Sequence, residues 1–406
     1  MEEAISEDLV TGMALASRGW ELRYLGEKLS AGLAAETMLD FVRQRQRWAS
    51  GTLQALRLRQ GPLRLRGLRP GQRLAYIEGA LHWFNTVPRL LLLLMPLSIG
   101  LLGVLPVLLT DAAVLGKLLP LWIALLLSTG WLNRGSRHAL LADLPGWALA
   151  VPLAATVMAS LWGRVQPFRI TPKHRPRSRG GIAPVLAAPL LVLLSLNGLN
   201  LLLIVRTLIR GAGTPAIWLG LLWGSLTLLG LLVALRACWD PPRNDPTPWL
   251  GIALPATLQA SGPAGQPISL PVQITALSES GAALNGLAAL PAGSRLQTLQ
   301  LSEAHTGACL PPLPLSASAT GATRVRWASG EPTALPALQR WLYGRPDAWP
   351  MRQAPPEWRA LLALLANLLR PGPALQPDRL SLVPQQLAPD RCGPGNHSDR
   401  SPAAAS

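Results

Sequence analysis

The chain has 406 residues, of which 49% are apolar and only 14% charged, and its formal net charge is +16. That balance argues against a soluble enzyme and for a membrane protein of two or three domains. Arginine supplies most of the charge and gathers at 43–73 and 164–179, each time beside an apolar run; this is the pattern of retention on the cytoplasmic face of a membrane rather than of nucleic-acid binding.

The start, Met1-Glu2-Glu3-Ala4-Ile5, has no basic region and no apolar core, so no signal peptide is expected. Residues 1–80 are polar with helical periodicity. Ser6 can cap a helix whose first turn holds Glu7 and Asp8 and whose one face carries Leu9, Met13, Ala16 and Trp20. The positive end of that helix favours ionised carboxylates, and such a carboxylate can take a proton from a sugar hydroxyl. The same two acids can also simply decorate a helix end. In Gln44-Arg45-Gln46-Arg47-Trp48, the residues Gln44, Arg47 and Trp48 fall at i, i+3 and i+4, on one helical face. Arginine offers planar donors to a diphosphate, and an indole offers a stacking platform to a sugar. An Arg-rich helix resting on anionic lipid explains the charge but not the Gln and Trp.

Four membrane spans are expected, at about 88–109, 112–133, 181–205 and 211–235, with Lys117 near enough to one end to snorkel. Residues 144–163 are also uncharged, yet arginines stand on both sides of them. Both flanks then prefer the cytoplasm, so this segment is expected along the inner interface, with both chain termini cytoplasmic. Beyond Arg236 the short alternating apolar runs among Pro, Thr and Ser predict a small β-rich domain. Residues 371–406 read as a disordered tail. Cys238, Cys309 and Cys392 have neither disulfide nor metal spacing and read as reduced thiols.

Ser6-Glu7-Asp8 followed by Gln44-x-x-Arg47-Trp48 resembles the signature pair of processive family-2 glycosyltransferases, with Ser in place of the family's usual Thr. Phe168-Arg169-Ile170-Thr171-Pro172-Lys173 is similar to the gating loop of bacterial cellulose synthase catalytic subunits. Ala276-Leu277-Ser278-Glu279-Ser280-Gly281 resembles a motif of the PilZ domain that follows their last span, although Ala276 replaces the acid or amide, and Arg236 and Arg243 stand at the wrong separation for its arginine pair.

The resemblance implies an α-helical membrane protein. Residues 1–80 would be the remnant of a GT-A α/β transferase domain, and 81–236 a channel of four transmembrane helices with interfacial helices and a gating loop at 164–180. Residues 237–370 would be a PilZ-like β-barrel with a terminal helix. It implies UDP-glucose as donor, a growing glucan as product and acceptor, and inversion with Asp8 as general base beside Glu7. Arg47, Gln44 and Trp48 would hold the diphosphate and the acceptor, and Phe168, Thr171 and Lys173 would close over the nucleotide. It further implies Mg2+ in the intact enzyme on ligands upstream of this chain, so that the chain alone is expected to be truncated and inactive. Cyclic di-GMP at Arg236, Arg243, Ser278 and Gly281, a periplasmic cellulose synthase subunit as partner, membrane lipid, and the cell inner membrane complete the expectation; nucleic acid and resident metal ligands are not expected. Two alternatives stay open: a synthase of hyaluronan, mannan or β-1,3-glucan, and a non-catalytic membrane remnant.

Overall fold

The structure is a computed structural model that describes residues 5–25, 34–104, 116–117, 119–133, 138, 141, 144–164, 177, 179–242, 247, 249–301, 310–316, 323–328, 334–343 and 356–369. Two compact units emerge: one from residues within Met1–Leu25, Leu33–Pro246 and Arg352–Leu375, the other chiefly from Thr247–Met351.

The first unit is helical. Its elements are α1 (Glu7–Ser17), α2 (Met38–Ala55), α3 (Pro70–Leu81), α4 (Thr86–Leu94), α5 (Leu97–Leu101), α6 (Leu119–Asn133), α7 (Leu144–Leu161), α8 (Pro184–Ile209) and α9 (Pro215–Ala237). Proline at the first position of α3, α8 and α9 sets the helical φ where no N–H is needed. Thr214 adds a side-chain cap to α9, accepting from Ile217 N. Among the described residues three helices are long and apolar enough to cross a membrane: Pro70–Leu101, which runs through α3, α4 and α5, Pro184–Ile209 and Pro215–Ala237. The second expected span is represented by α6, which is apolar but 15 residues long and buries none of them; the remainder of 112–133 lies mostly outside the described residues.

Lipid gives apolar side chains no reason to leave it for one another, so close helix crossings depend on small residues and on polar groups that find partners. Both devices appear on α9. A Cβ on Gly220 would lie 2.8 Å from Ile99 Cγ2, and one on Gly224 would lie 2.8 Å from Leu201 Cδ2. Gly230 lies flat against the Trp147 indole of α7, where any Cβ would overlap the ring. Asn197, buried in α8, donates to Gly224 O at 2.8 Å, and Asn200 accepts from Gly100 N at 2.9 Å. α7 is the hub of the unit. Ala148, Leu149, Ala150, Leu153, Ala154, Thr156 and Val157 are buried, and the helix packs on α2, α4 and α9.

A two-stranded ribbon, β1 (Gly181–Ile182) with β2 (Trp239–Asp240), ties the entry to α8 to the exit from α9.

The second unit is an antiparallel sheet of β3 (Leu250–Ser261), β4 (Pro267–Ser278), β5 (Gly281–Asn285), β6 (Arg295–Leu301), β7 (Leu313–Pro314) and β8 (Arg324–Arg326), in the order β7-β6-β3-β4-β5-β8. Burial alternates along β3, which puts Leu254, Leu258 and their neighbours inside. Register shifts in the β3–β4, β3–β6 and β4–β5 pairs bend the sheet. It curls until its edges meet through the Leu315–Trp327 bridge and the bonds Ser316 N to Arg326 O and Ala328 N to Pro314 O. Leu338, Trp341 and Leu342 of α10 (Ala334–Tyr343) complete its core. The last helix, α11 (Glu357–Leu369), belongs to the first unit, where it packs on α9.

Candidate active site

Glu7 and Asp8 stand exposed in the first turn of α1. Ser6 occupies the N-cap but makes no capping bond; Asp8 Oδ1 accepts from Leu9 N at 2.8 Å instead. Ser6 is held by packing. Its hydroxyl abuts Gly51 of α2, where a Cβ would overlap Ser6 Oγ and come within 3.1 Å of Ile5 Cβ. Ile5 N also donates to Gln54 Oε1 at 3.4 Å. The acidic end of α1 therefore docks on α2 at Gly51–Gln54. Gly51 lies about 4.5 Å along the helix axis from Trp48, with Arg47 and Trp48 as its i−4 and i−3 neighbours. A separate cluster, Val10 and Met13 of α1 with Ala55 of α2, fastens the two helices below that contact.

α2 is an 18-residue helix started by Thr37, whose hydroxyl accepts from Asp40 N at 3.0 Å and donates to Asp40 Oδ2 at 2.8 Å. Val42 and Ala49 are buried in the cluster that includes Ala148, Leu149 and Leu153 of α7. Across that contact Gln46 Nε2 donates to Thr156 Oγ1 at 3.0 Å and to Pro152 O at 3.2 Å. The signature helix thus rests on α7, and its polar face is turned away from it. Gln44 and Arg47 are half-buried there, and Trp48 is 40% exposed. One aromatic contact escaped sequence reasoning. The Arg45 guanidinium carbon lies 5.0 Å from the Phe41 ring centroid and 4.8 Å from that of Trp48, so a cation covers one side of the indole. The spacing Phe41, Arg45, Trp48 at i, i+4 and i+7 was its signal. Trp48 keeps 40% of its surface exposed beside that cation.

The other expected residues are placed less tellingly. Phe168, Thr171, Lys173 and Arg243 lie outside the described residues. Arg236 sits half-buried in the last turn of α9, in the helical unit. Ser278, fully buried in the sheet unit, donates to Thr247 Oγ1 at 2.9 Å and lies 3.2 Å from Ser280 Oγ. Trp327 Nε1 donates to its carbonyl at 3.0 Å. Its side chain is spent on the β4–β5 turn and has no exposed surface for a ligand. Gly281 opens β5 with the Val325 carbonyl packed against it. Among the described residues no three of His, Cys, Asp or Glu come together as metal ligands. Glu7 and Asp8 do not by themselves make a Mg2+ site.

A clasp at the foot of the helical unit also went unnoticed in the sequence, where its only mark was a lone acid after the last span. Asp240 Oδ1 accepts from Met38 N, the first residue of α2, at 2.9 Å, and Oδ2 faces Arg177 Nη1 at 3.7 Å. The Arg177 guanidinium also donates to Pro241 O. Burial pushes the Asp240 carboxyl above its usual range, against the lowering effects of the Met38 N–H and of Arg177, with nearby Asp40 raising it further. A raised folded-state pKa means that the linked stability is fullest below about pH 4 and is lost as pH rises through the raised value. Asp240→Asn keeps an acceptor for Met38 and is expected to melt at or above wild type at neutral pH, with a flatter acid-side profile. Asp240→Ala orphans Met38 N–H and should cost about 1–3 kcal/mol. Melting curves against pH decide it; Asn melting as low as Ala would show that the charge itself holds the clasp.

Cys238, next to this clasp, is fully buried, and burial with the Asp240 charge pushes its thiol up to about 11. The reactive thiolate is then scarce at neutral pH. Iodoacetamide is expected to leave Cys238 unmodified in the native protein and to label it in urea, as read by peptide mass mapping; prompt native labelling would contradict this placement.

Comparison with known proteins gives a consistent set of relatives. The chain is similar to cellulose synthase catalytic subunits (UDP-forming) from three bacteria. It is 30% identical to that of Komagataeibacter sucrofermentans over 172 residues, 42% of this chain and 23% of the relative. For Pseudomonas fluorescens the identity is 27% over 259 residues, 63% and 35%. For Xanthomonas axonopodis pv. citri it is 33% over 238 residues, 57% and 32%. The chain therefore spans about a quarter to a third of the length of these curated relatives. No protein-family model matches it.

Proposed function

We propose that this chain, homologous to cellulose synthase catalytic subunits, is the acceptor-handling and membrane-crossing portion of a processive β-glycosyltransferase that extends a glucan from UDP-glucose. The observation that carries the proposal is the docking of the acidic end of α1 onto α2 one turn from Trp48.

In this reading the acceptor's terminal sugar stacks on the exposed part of the Trp48 indole, with Gln44 holding a hydroxyl. Asp8 takes the proton of the 4-hydroxyl as its oxygen bonds to the anomeric carbon of glucose. The bond from that carbon to the diphosphate breaks, and UDP leaves with its charge met by Arg47. Attack from the side opposite the leaving group inverts the anomeric centre.

Phe168, Thr171 and Lys173 belong to a loop that covers the nucleotide. α6 is the second of four crossings, α7 lies at the inner interface, and both termini are cytoplasmic at the inner membrane. The curled sheet is the PilZ-like domain. The glucan leaves through the helices as it grows.

Membranes containing the intact transferase of which this chain is a portion, given labelled UDP-glucose, UDP-N-acetylglucosamine or GDP-mannose, test this reading. Label is expected in an insoluble β-1,4-glucan from UDP-glucose. Incorporation from another sugar nucleotide would reassign the donor, and incorporation from none would end the enzymatic reading.

A further inference from the structure

A second polar hollow lies further along α2; none of the residues given a role at the sugar or nucleotide lines it, and Arg164 of its rim is the first residue of the expected gating segment 164–180. It encloses about 280 Å3 between the C-terminal half of α2 and the end of α7, and Ser50, Gln54, Arg57, Ser160 and Arg164 supply its polar lining. No carboxylate is among the lining residues. Two arginines therefore line a hollow to which the described residues contribute no anion. Its volume falls just below the usual range of ligand clefts, about 300–1,000 Å3, which suits a headgroup or small anion better than a nucleotide.

The end of α7 does not account for these groups. The carbonyls of Ala159 and Ser160 already accept backbone N–H groups from Trp162, Gly163 and Arg164. Leu161 O accepts from Arg57 Nη2 at 2.7 Å. That bond anchors Arg57, which also lines the hollow. Gly163, at φ +77, turns the chain so that Arg164 follows on the same rim. Among the described residues the Arg164 guanidinium has no hydrogen-bond or ion-pair partner. Ser160 Oγ is buried with no partner either, a state that native proteins rarely leave uncompensated. A tetrahedral oxyanion would answer both, taking charge-assisted bonds from the arginines and one from the serine hydroxyl.

We propose that this hollow binds a phosphate group, from either an anionic phospholipid headgroup or free phosphate. The full chain in neutral detergent, titrated with inorganic phosphate, short-chain phosphatidylglycerol or the matching diacylglycerol and followed by thermal melting, tests it. Arg164→Gln is the clean variant, because Arg57 also holds a helix end; Ser160→Ala is the second. Stabilisation of the wild type by phosphate, weakened about ten- to hundredfold in Arg164→Gln, identifies a soluble anion. The same loss for phosphatidylglycerol, with no response to phosphate or diacylglycerol, identifies a lipid headgroup. Equal shifts in wild type and Arg164→Gln, or none with any additive, would overturn the site. Sugar incorporation is not read in this experiment, so its outcome is independent of the transferase proposal.

Discussion

Asp8→Asn is expected to lower glucan synthesis by about 10²–10⁴-fold in membranes containing the intact transferase of which this chain is a portion, with little change in its level or melting temperature. The size follows from the role proposed for Asp8. An amide cannot take the acceptor proton, so the whole contribution of base catalysis is lost. The structural neutrality follows from its surroundings. Asp8 is exposed, and its one described contact, the hydrogen bond from Leu9 N, is one that an amide oxygen accepts equally well. Glu7→Gln, one residue earlier on the same exposed turn, should cost much less, which separates a specific base from a general need for negative charge there. The pair is read by labelled polymer per milligram of membrane protein. Full synthesis by the Asn variant would remove Asp8 from the chemistry.

Gly230→Leu is expected to be the most damaging change in the helical unit, because the new side chain would have to occupy the place of the Trp147 ring. Overpacking of this kind costs about 1–3 kcal/mol where neighbours can yield, and more where they cannot. Here the neighbour is α7, which is packed on three helices and also supports α2 through Gln46. The strain should therefore reach the signature helix, lowering sugar incorporation along with the melting temperature in detergent. Trp147→Ala in the same chain removes the obstructing ring and should recover part of both losses, an interaction energy that two independent effects would not give. Additivity of the two substitutions would mean that the ring and the glycine do not share one site.

The Asp240 clasp bears on the same support. It holds the first residue of α2, while Gln46 holds its middle and Gly51 receives α1. Three different parts of the chain thus fix one helix, which is what the role proposed for Trp48 requires if a sugar is to meet a carboxylate in a defined orientation.

Several features were legible in the residues alone because each depends on neighbours a few positions away. Uncharged runs marked the helices at 184–209 and 215–237, alternation marked the sheet, and the order Ser6-Glu7-Asp8 then Gln44-x-x-Arg47-Trp48 marked helices α1 and α2. The family resemblance rested on the same local patterns. Contacts between distant segments had no such mark. Nothing near Ser6 says that it will pack on Gly51 instead of capping its own helix, and nothing near Asp240 names Met38 as a partner 202 residues away. Residues 144–163 read as a segment along the inner interface, and nothing in them showed that as α7 they would be the packing hub of the helical unit. Hydropathy reports how apolar a segment is, whereas the choice between lipid and protein as its neighbour depends on the shapes of helices elsewhere in the chain. The same reason separates the two readings of the arginines: their sequence fixes a charge, and only the fold sets Arg57 and Arg164 around one hollow.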